Sequence, residues 1–189
     1  MKRIKQTGLD QVGGKAYHLL KMQAAGLPVP DFAVFAFDFF QESASSADLE
    51  QMEVAYRSGE LELSQLSQQF QDWAKEQFAQ EDLTAAENWI HQEFSQTDCR
   101  FAVRSSATIE DGKASSFAGQ FESQLNVKPE GLKEAVQATL LSLYQESALS
   151  YLFEQGLSLK QAQMICLVQV MQEGELSGIY FTANPKGIL

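Results

Sequence analysis

The sequence has few cysteines, prolines and histidines, and each scarcity excludes a class of protein. Four prolines and twelve glycines among 189 residues exclude collagen-like and low-complexity chains. The two cysteines, Cys99 and Cys166, lie in apolar runs, so we interpret them as small buried hydrophobes in a reducing environment. His18 and His91 lie on predicted helices without a serine, cysteine or metal-ligand partner at a useful spacing. Neither histidine therefore supports a catalytic triad or a zinc site.

Positive charge is also scarce. The chain has 14 lysines and arginines against 25 aspartates and glutamates, which gives a net charge of -11. A nucleic acid or an anionic membrane is therefore a disfavoured partner. An anionic ligand would have to be held by a few locally placed cations and backbone N–H groups, so the position of each lysine and arginine is informative.

Long apolar runs are missing as well. No stretch of about 18 apolar residues occurs, and the first eight residues lack the apolar segment of a signal peptide. We therefore expect a cytoplasmic protein. With 44% hydrophobic and 21% charged residues, the composition is that of a folded globular chain.

The remaining pattern indicates an α+β fold with a mainly antiparallel sheet and packed helices, because strands and helices do not alternate regularly. Ser105 to Gly119 is rich in small residues and is predicted to form a long loop. Pro129 is predicted to begin one long helix that ends near Gly156 and carries Ser147 inward. The other predicted elements are a helix at 13–26, a strand at 29–37, a helical scaffold at about 41–98, strands at 101–104 and 121–127, and a hairpin of strands 164–171 and 176–182.

Two fragments could bind an anion. Gly13 and Gly14 stand at a predicted helix N-terminus and are followed by Lys15, which offers N–H groups, the positive end of the helix dipole and a cation. The spacing after Gly8 and the absence of a hydroxyl at Ala16 exclude a Walker A motif. The alternative is a helix cap with a solvated lysine.

The second fragment places Arg104 where an apolar strand runs into a loop rich in hydroxyl groups, which suits bidentate contact with a phosphate. The alternative is a surface arginine in a turn. The neighbouring pair Glu110-Asp111 could hold a metal, but a single acidic dipeptide in an acidic chain more often faces solvent.

Four short segments in chain order carry a more specific signal than any one of them. They are Val12-Gly13-Gly14-Lys15-Ala16 with Ala25-Gly26-Leu27-Pro28-Val29-Pro30, Ala102-Val103-Arg104-Ser105-Ser106-Ala107-Thr108, Ser116-Phe117-Ala118-Gly119-Gln120-Phe121-Glu122, and Ser177-Gly178-Ile179-Tyr180-Phe181-Thr182-Ala183-Asn184-Pro185. The set resembles the N-terminal ATP-binding domain of phosphoenolpyruvate synthase and pyruvate phosphate dikinase, which rifampicin phosphotransferase shares. The resemblance spans nearly all of residues 1–189 and is weakest between Gln41 and Phe94.

The resemblance implies part of an ATP-grasp domain, with nucleotide-site segments at about 12–16, 102–123 and 164–185. Lys15 and Arg104 would contact the phosphates of ATP. The other implied nucleotide contacts are a phosphate-covering loop of Ser116, Phe117, Ala118, Gly119 and Gln120, with Ser123 just beyond it, and a strand edge of Gln169, Val170 and Met171 that receives adenine.

In the complete enzymes, a second half of the grasp brings acidic ligands for Mg²⁺, and a separate domain carries a phosphorylated histidine. Neither has a counterpart in this sequence, so we expect roughly the first half of an ATP-binding domain, without phosphoryl transfer on its own. It would serve a dikinase that phosphorylates pyruvate. Alternatives are the same lobe of a rifampicin phosphotransferase-like enzyme, or a degenerate module that binds a nucleotide or a partner. The apolar predicted hairpin would also allow a homodimer.

Arg104→Ala should abolish the weak binding of ATP that we expect, because one charge-assisted contact contributes about 1.5–3 kcal/mol, or roughly 10- to 150-fold in affinity. Lys113→Ala removes the same charge nearby, outside the matched positions, and should leave the affinity nearly unchanged. Titration calorimetry with ATP compares the two variants. If both variants weaken ATP binding equally, the attraction is a diffuse effect of charge and Arg104 makes no specific contact.

Overall fold

The computed structural model of the chain describes residues 2–4, 9–36, 45–80, 83–94, 99–106, 121–159, 165–174, 176 and 178. The helices are α1 Leu9–Ala24, α2 Ser45–Arg57, α3 Leu63–Ala79, α4 Thr84–Phe94, α5 Leu132–Leu141 and α6 Glu146–Glu154. The strands are β1 Lys2–Ile4, β2 Phe32–Ala36, β3 Phe101–Ser105, β4 Ser123–Val127 and β5 Ile165–Val170. Short 3-10 turns cover Pro129–Gly131 and Ser142–Tyr144.

The strands form one sheet of five in the order β1-β2-β5-β3-β4, and every neighbouring pair is antiparallel. This confirms the predicted α+β class with an antiparallel sheet. β5 lies at the centre, which explains its uninterrupted apolar sequence: Ile165, Cys166, Leu167 and Val168 are all buried. Burial raises the pKa of the Cys166 thiol to about 12, so this cysteine is protonated and packs as a hydrophobe.

The predicted hairpin of strands 164–171 and 176–182 is wrong. β5 pairs with β2 along one edge and with β3 along the other, so no edge remains for a second strand beside it. Leu176 is 94% exposed and lies outside any strand. Residues 179–182 lie outside the described part of the chain. The hairpin therefore gives no support for a homodimer.

The long helix predicted from Pro129 is broken into two. α5 ends in the turn Ser142–Tyr144, and Gln145 is extended at φ -67° and ψ 148° before α6 begins. The Ser142 hydroxyl donates a hydrogen bond to the carbonyl of Thr139 at 2.6 Å, a side-chain contact that competes with helical geometry. Because α6 is a separate helix, its buried side does not continue that of α5, and Ser147 is exposed rather than inward.

The edge strand β4 also departs from simple alternation. Its register with β3 shifts between the pairs Phe101 with Val127 and Val103 with Gln124, and Asn126 has a positive φ of 57°. This bulge inserts an extra residue into β4. Leu125 is left 60% exposed on the sheet face opposite to Val127.

The two faces of the sheet are covered differently. One face, with Phe101, Val103 and Val168 among its residues, packs into a large core with the helices α2 to α6. The opposite face is covered by α1, whose Val12 and Ala16 pack with Val34, Ile165 and Leu167. We call this second side the α1 face. None of the helices in the described ranges is long and apolar enough to cross a membrane.

Phe101→Ala should lower the free energy of unfolding by about 3–5 kcal/mol, because the fully buried ring packs on two rings of α4, edge-on against Phe94 and tilted against Trp89. Leu125→Ala, on the neighbouring strand but exposed, should change it by less than about 0.5 kcal/mol. Urea denaturation measures both. Similar losses in the two variants would contradict the burial described for β3.

Candidate functional site

The glycine pair before Lys15 forms a kink within α1. Gly13 has φ 68° and ψ 167°, a backbone conformation that is essentially restricted to glycine, and the helix continues beyond it. Val12, Gly13 and Gly14 are buried, whereas Lys15 is partly exposed. A helical segment therefore begins after Gly13, as predicted, and a further helical segment from Leu9 precedes the kink.

Ser106 follows β3 directly, and its side chain forms hydrogen bonds to residues on both sides of this kink. Its hydroxyl donates a hydrogen bond to the carbonyl of Val12 at 2.8 Å and accepts one from the N–H of Ala16 at 3.3 Å. The N–H of Ser106 donates to the carbonyl of Ile165 at 2.8 Å, which continues the pairing of β3 with β5. Ser106 is fully buried. One side chain thus joins two segments that are 90 residues apart in sequence.

The backbones at this junction approach closely. A Cβ atom on Gly13 would collide with the carbonyl oxygen of Ser106 and lie 2.6 Å from its hydroxyl oxygen. Only glycine fits here, for reasons of both space and backbone conformation. We call this contact between residues 12–16 and Ser106 the kink junction.

Arg104 lies on the α1 face, two residues before Ser106. It pairs with Leu167 of β5 and with Ser123 of β4, and Leu167 packs under α1. Paired residues on neighbouring strands share a face, and two residues along a strand advance by about 7 Å. The structure therefore brings the lysine-bearing kink and the arginine-bearing strand close together; their contact with phosphates remains a prediction.

The surroundings of Arg104 suit a ligand. The Arg104 side chain is partly exposed, and within the described ranges its guanidinium has no hydrogen-bond or ion-pair partner. α1 packs on β2 and β5, while Ser123 and Leu125 of β4 on the same face are exposed. Among the described residues, this end of the α1 face is open at Arg104 and along β4, whereas Ala102 of β3 is buried.

Gln169 shares this face, because it pairs with Ala102 of β3 and with Phe32 of β2. Val170 lies on the opposite face, within the large core. The N–H of Val170 donates to Asp31 and that of Met171 to Arg100, each at 2.8 Å. β5 is central and these two N–H groups are already paired, so the predicted strand edge is not free at Val170 and Met171. Their contact with adenine remains a prediction, with Gln169 as the residue on the open face.

The predicted loop residues Ser116, Phe117, Ala118, Gly119 and Gln120 lie outside the described part of the chain. Ser105 belongs to β3 and is buried, so the predicted loop begins later than expected. Sequence reasoning gave no role to Ser106. The only signal for it was its place beside Arg104 in a hydroxyl-rich motif, since its contact with residues 12–16 is long-range.

The described residues contain no cluster of three or more histidine, cysteine, aspartate or glutamate side chains that could hold a metal ion. They therefore do not by themselves fit the Mg²⁺ that the family resemblance implies. No step through a metal ion follows from this part of the chain.

Gly13→Ala should lower the free energy of unfolding by at least about 2 kcal/mol more than Gly26→Ala. Gly26 also has a positive φ, of 75°, but an added Cβ there meets nothing within 4 Å. Gly26→Ala therefore imposes backbone strain alone, about 1 kcal/mol. Thermal and urea unfolding compare the variants, and equal losses would show that Gly13 and Ser106 are not in close contact.

The sequence is similar to a known protein family and to several named proteins. Residues 9–188 match the family model described as "Pyruvate phosphate dikinase, AMP/ATP-binding domain". The chain is 31% identical over 94% of its length to a probable phosphoenolpyruvate synthase of Methanocaldococcus jannaschii, and 32% identical over 94% to the phosphoenolpyruvate synthase of Aeropyrum pernix. It is also 30% identical over 98% of its length to a rifampicin phosphotransferase of Streptomyces sviceus.

The chain spans only 16%, 23% and 22% of the lengths of these three relatives. The family match nevertheless covers almost all of the present sequence, including the kink, β3 and β5. The chain therefore belongs to the pyruvate phosphate dikinase family, in which it corresponds to the AMP/ATP-binding domain.

Proposed function

We propose that the chain binds ATP on the open end of the α1 face, with the phosphates between the Lys15 kink and Arg104. The observation that carries this proposal is the kink junction, which fixes the two cation-bearing segments against each other. The match to an AMP/ATP-binding domain supports the choice of nucleotide.

Charge supports a local binding mode. With a net charge of -11, the chain repels a polyphosphate at long range, so binding must come from short-range contacts. The first turn of the helix after Gly13 presents backbone N–H groups and the positive end of its dipole near Lys15. Arg104 adds a planar cation that can form two parallel hydrogen bonds to a phosphate.

We further propose that adenine lies toward Gln169, farther along the same face. Gln169 follows Leu167 by two residues, is partly exposed, and pairs with Ala102, which has a small side chain. An amide side chain can both donate and accept hydrogen bonds, as recognition of a base requires. Ser123, paired with Arg104 at the edge of the sheet, lies toward the phosphates, and the loop from Ser116 to Gln120 would cover them.

In the complete protein this lobe would serve a dikinase of the phosphoenolpyruvate synthase type. A second lobe would complete the nucleotide site and supply carboxylates for Mg²⁺, and a phosphohistidine domain would carry the phosphoryl group to pyruvate. The two synthase relatives favour this acceptor. The rifampicin phosphotransferase relative, matched over 98% of this chain, favours the antibiotic as an alternative acceptor.

The proposed role predicts binding without turnover. ATP should bind more tightly than adenosine, because the phosphates provide the contacts with Lys15 and Arg104, and Lys15→Ala should remove most of this difference. Phosphate release should stay at the level of the Lys15→Ala variant, since the carboxylates that hold Mg²⁺ in phosphoryl transfer belong to the other lobe.

Calorimetry with ATP and adenosine measures the difference, and a phosphate-release assay measures turnover. Equal affinity for the two ligands would contradict the phosphate site. Phosphate release clearly above the Lys15→Ala control would contradict the proposal that the carboxylates for Mg²⁺ belong to the other lobe.

A further inference from the structure

We propose that Ser106 is a positioning residue that sets Lys15 for contact with the phosphates of the nucleotide. This inference rests on the proposed function, because it assigns a role within the same site. It goes further by naming a residue that itself contacts no nucleotide in this scheme.

The hydrogen bonds of Ser106 give the physical reason. The hydroxyl accepts from the N–H of Ala16, in the first turn after the Gly13 kink, where helical N–H groups lack partners within the helix. It therefore caps this turn as an N-cap side chain would, but from a distant segment. The same hydroxyl donates to the carbonyl of Val12, on the other side of the kink.

Lys15 lies between these two anchored points. With Val12 and Ala16 both held by one buried hydroxyl, the backbone of the intervening residues has little freedom. Ser106 also belongs to the segment that carries Arg104, and its N–H is bonded to central strand β5. The hydroxyl thus fixes the lysine relative to the arginine, which a ligand bound by both cations requires.

A purely structural role is the alternative, and the chain offers a matched control for it. Ser67 of α3 is also buried; its hydroxyl donates to the carbonyl of Tyr144 at 2.7 Å and accepts from the amide of Gln71 at 3.0 Å. Like Ser106, it donates one hydrogen bond to a backbone carbonyl and accepts one, here from a side-chain amide instead of a backbone N–H. Ser67 lies in the large core on the far side of the sheet.

The test compares Ser106→Ala with Ser67→Ala. Both should lower the melting temperature. Only Ser106→Ala should weaken ATP, by roughly 3- to 10-fold, the value of one hydrogen bond, while leaving adenosine binding unchanged. In the Lys15→Ala background, Ser106→Ala should have no further effect on ATP, because the residue that it positions is absent. Faster hydrogen exchange at the Ala16 amide should accompany the loss.

Equal weakening of ATP and adenosine, or an undiminished effect in the Lys15→Ala background, would overturn the role of Ser106. If the unaltered chain prefers ATP and Ser106→Ala keeps that preference, only this inference fails. If the unaltered chain shows no preference, the proposed phosphate site fails. Should Ser106→Ala not fold, Ser106→Cys, which fills the same space with a weaker hydrogen-bonding group, provides the same comparison.

Discussion

The close approach of Gly13 to Ser106 is the contact on which the site depends. A residue without a side chain is required on one segment, and a short buried hydroxyl on the other fills the remaining space with two hydrogen bonds. The consequence is geometric. A strand that ends at Ser105 and a helix that bends at Gly13 meet on the same face of the sheet, and each carries one cation to that place.

The unequal covering of the sheet leaves this meeting point accessible as a candidate site. The helices α2 to α6 bury one face in the large core, so β3 and β5 are firmly packed on that side. On the other face α1 covers β2 and β5, whereas Arg104 of β3 is partly exposed and Ser123 of β4 is exposed. A ligand can reach these two residues beside the kink junction, and in our proposal a second lobe closes over it.

Local sequence patterns predicted several strands and a helix start, whereas the order of the strands depends on long-range pairing. The apolar runs at Phe32 and Ile165 predicted strands, and the glycines before Lys15 predicted a helix start. Strand order is not a local property, which is why the hairpin proposed beside β5 was wrong: both edges of β5 are taken by strands far away in sequence. The break at Gln145 and the bulge at Asn126 also depend on backbone conformations that the periodicity of apolar residues does not encode.

If the nucleotide lies on the α1 face beside the kink junction, ATP should change the chemical shifts of the nearby amides when it is titrated into the ¹⁵N-labelled chain. We expect the largest shifts at the amides of 14–16, 102–106, Ser123 and Gln169. A cleft of about 380 Å³ lined by Leu83, Ile90 and Lys133 lies between α4 and α5, on the other side of the sheet. Shifts concentrated at that cleft, with residues 14–16 and 102–106 unchanged, would show that ATP binds there and not beside the kink junction.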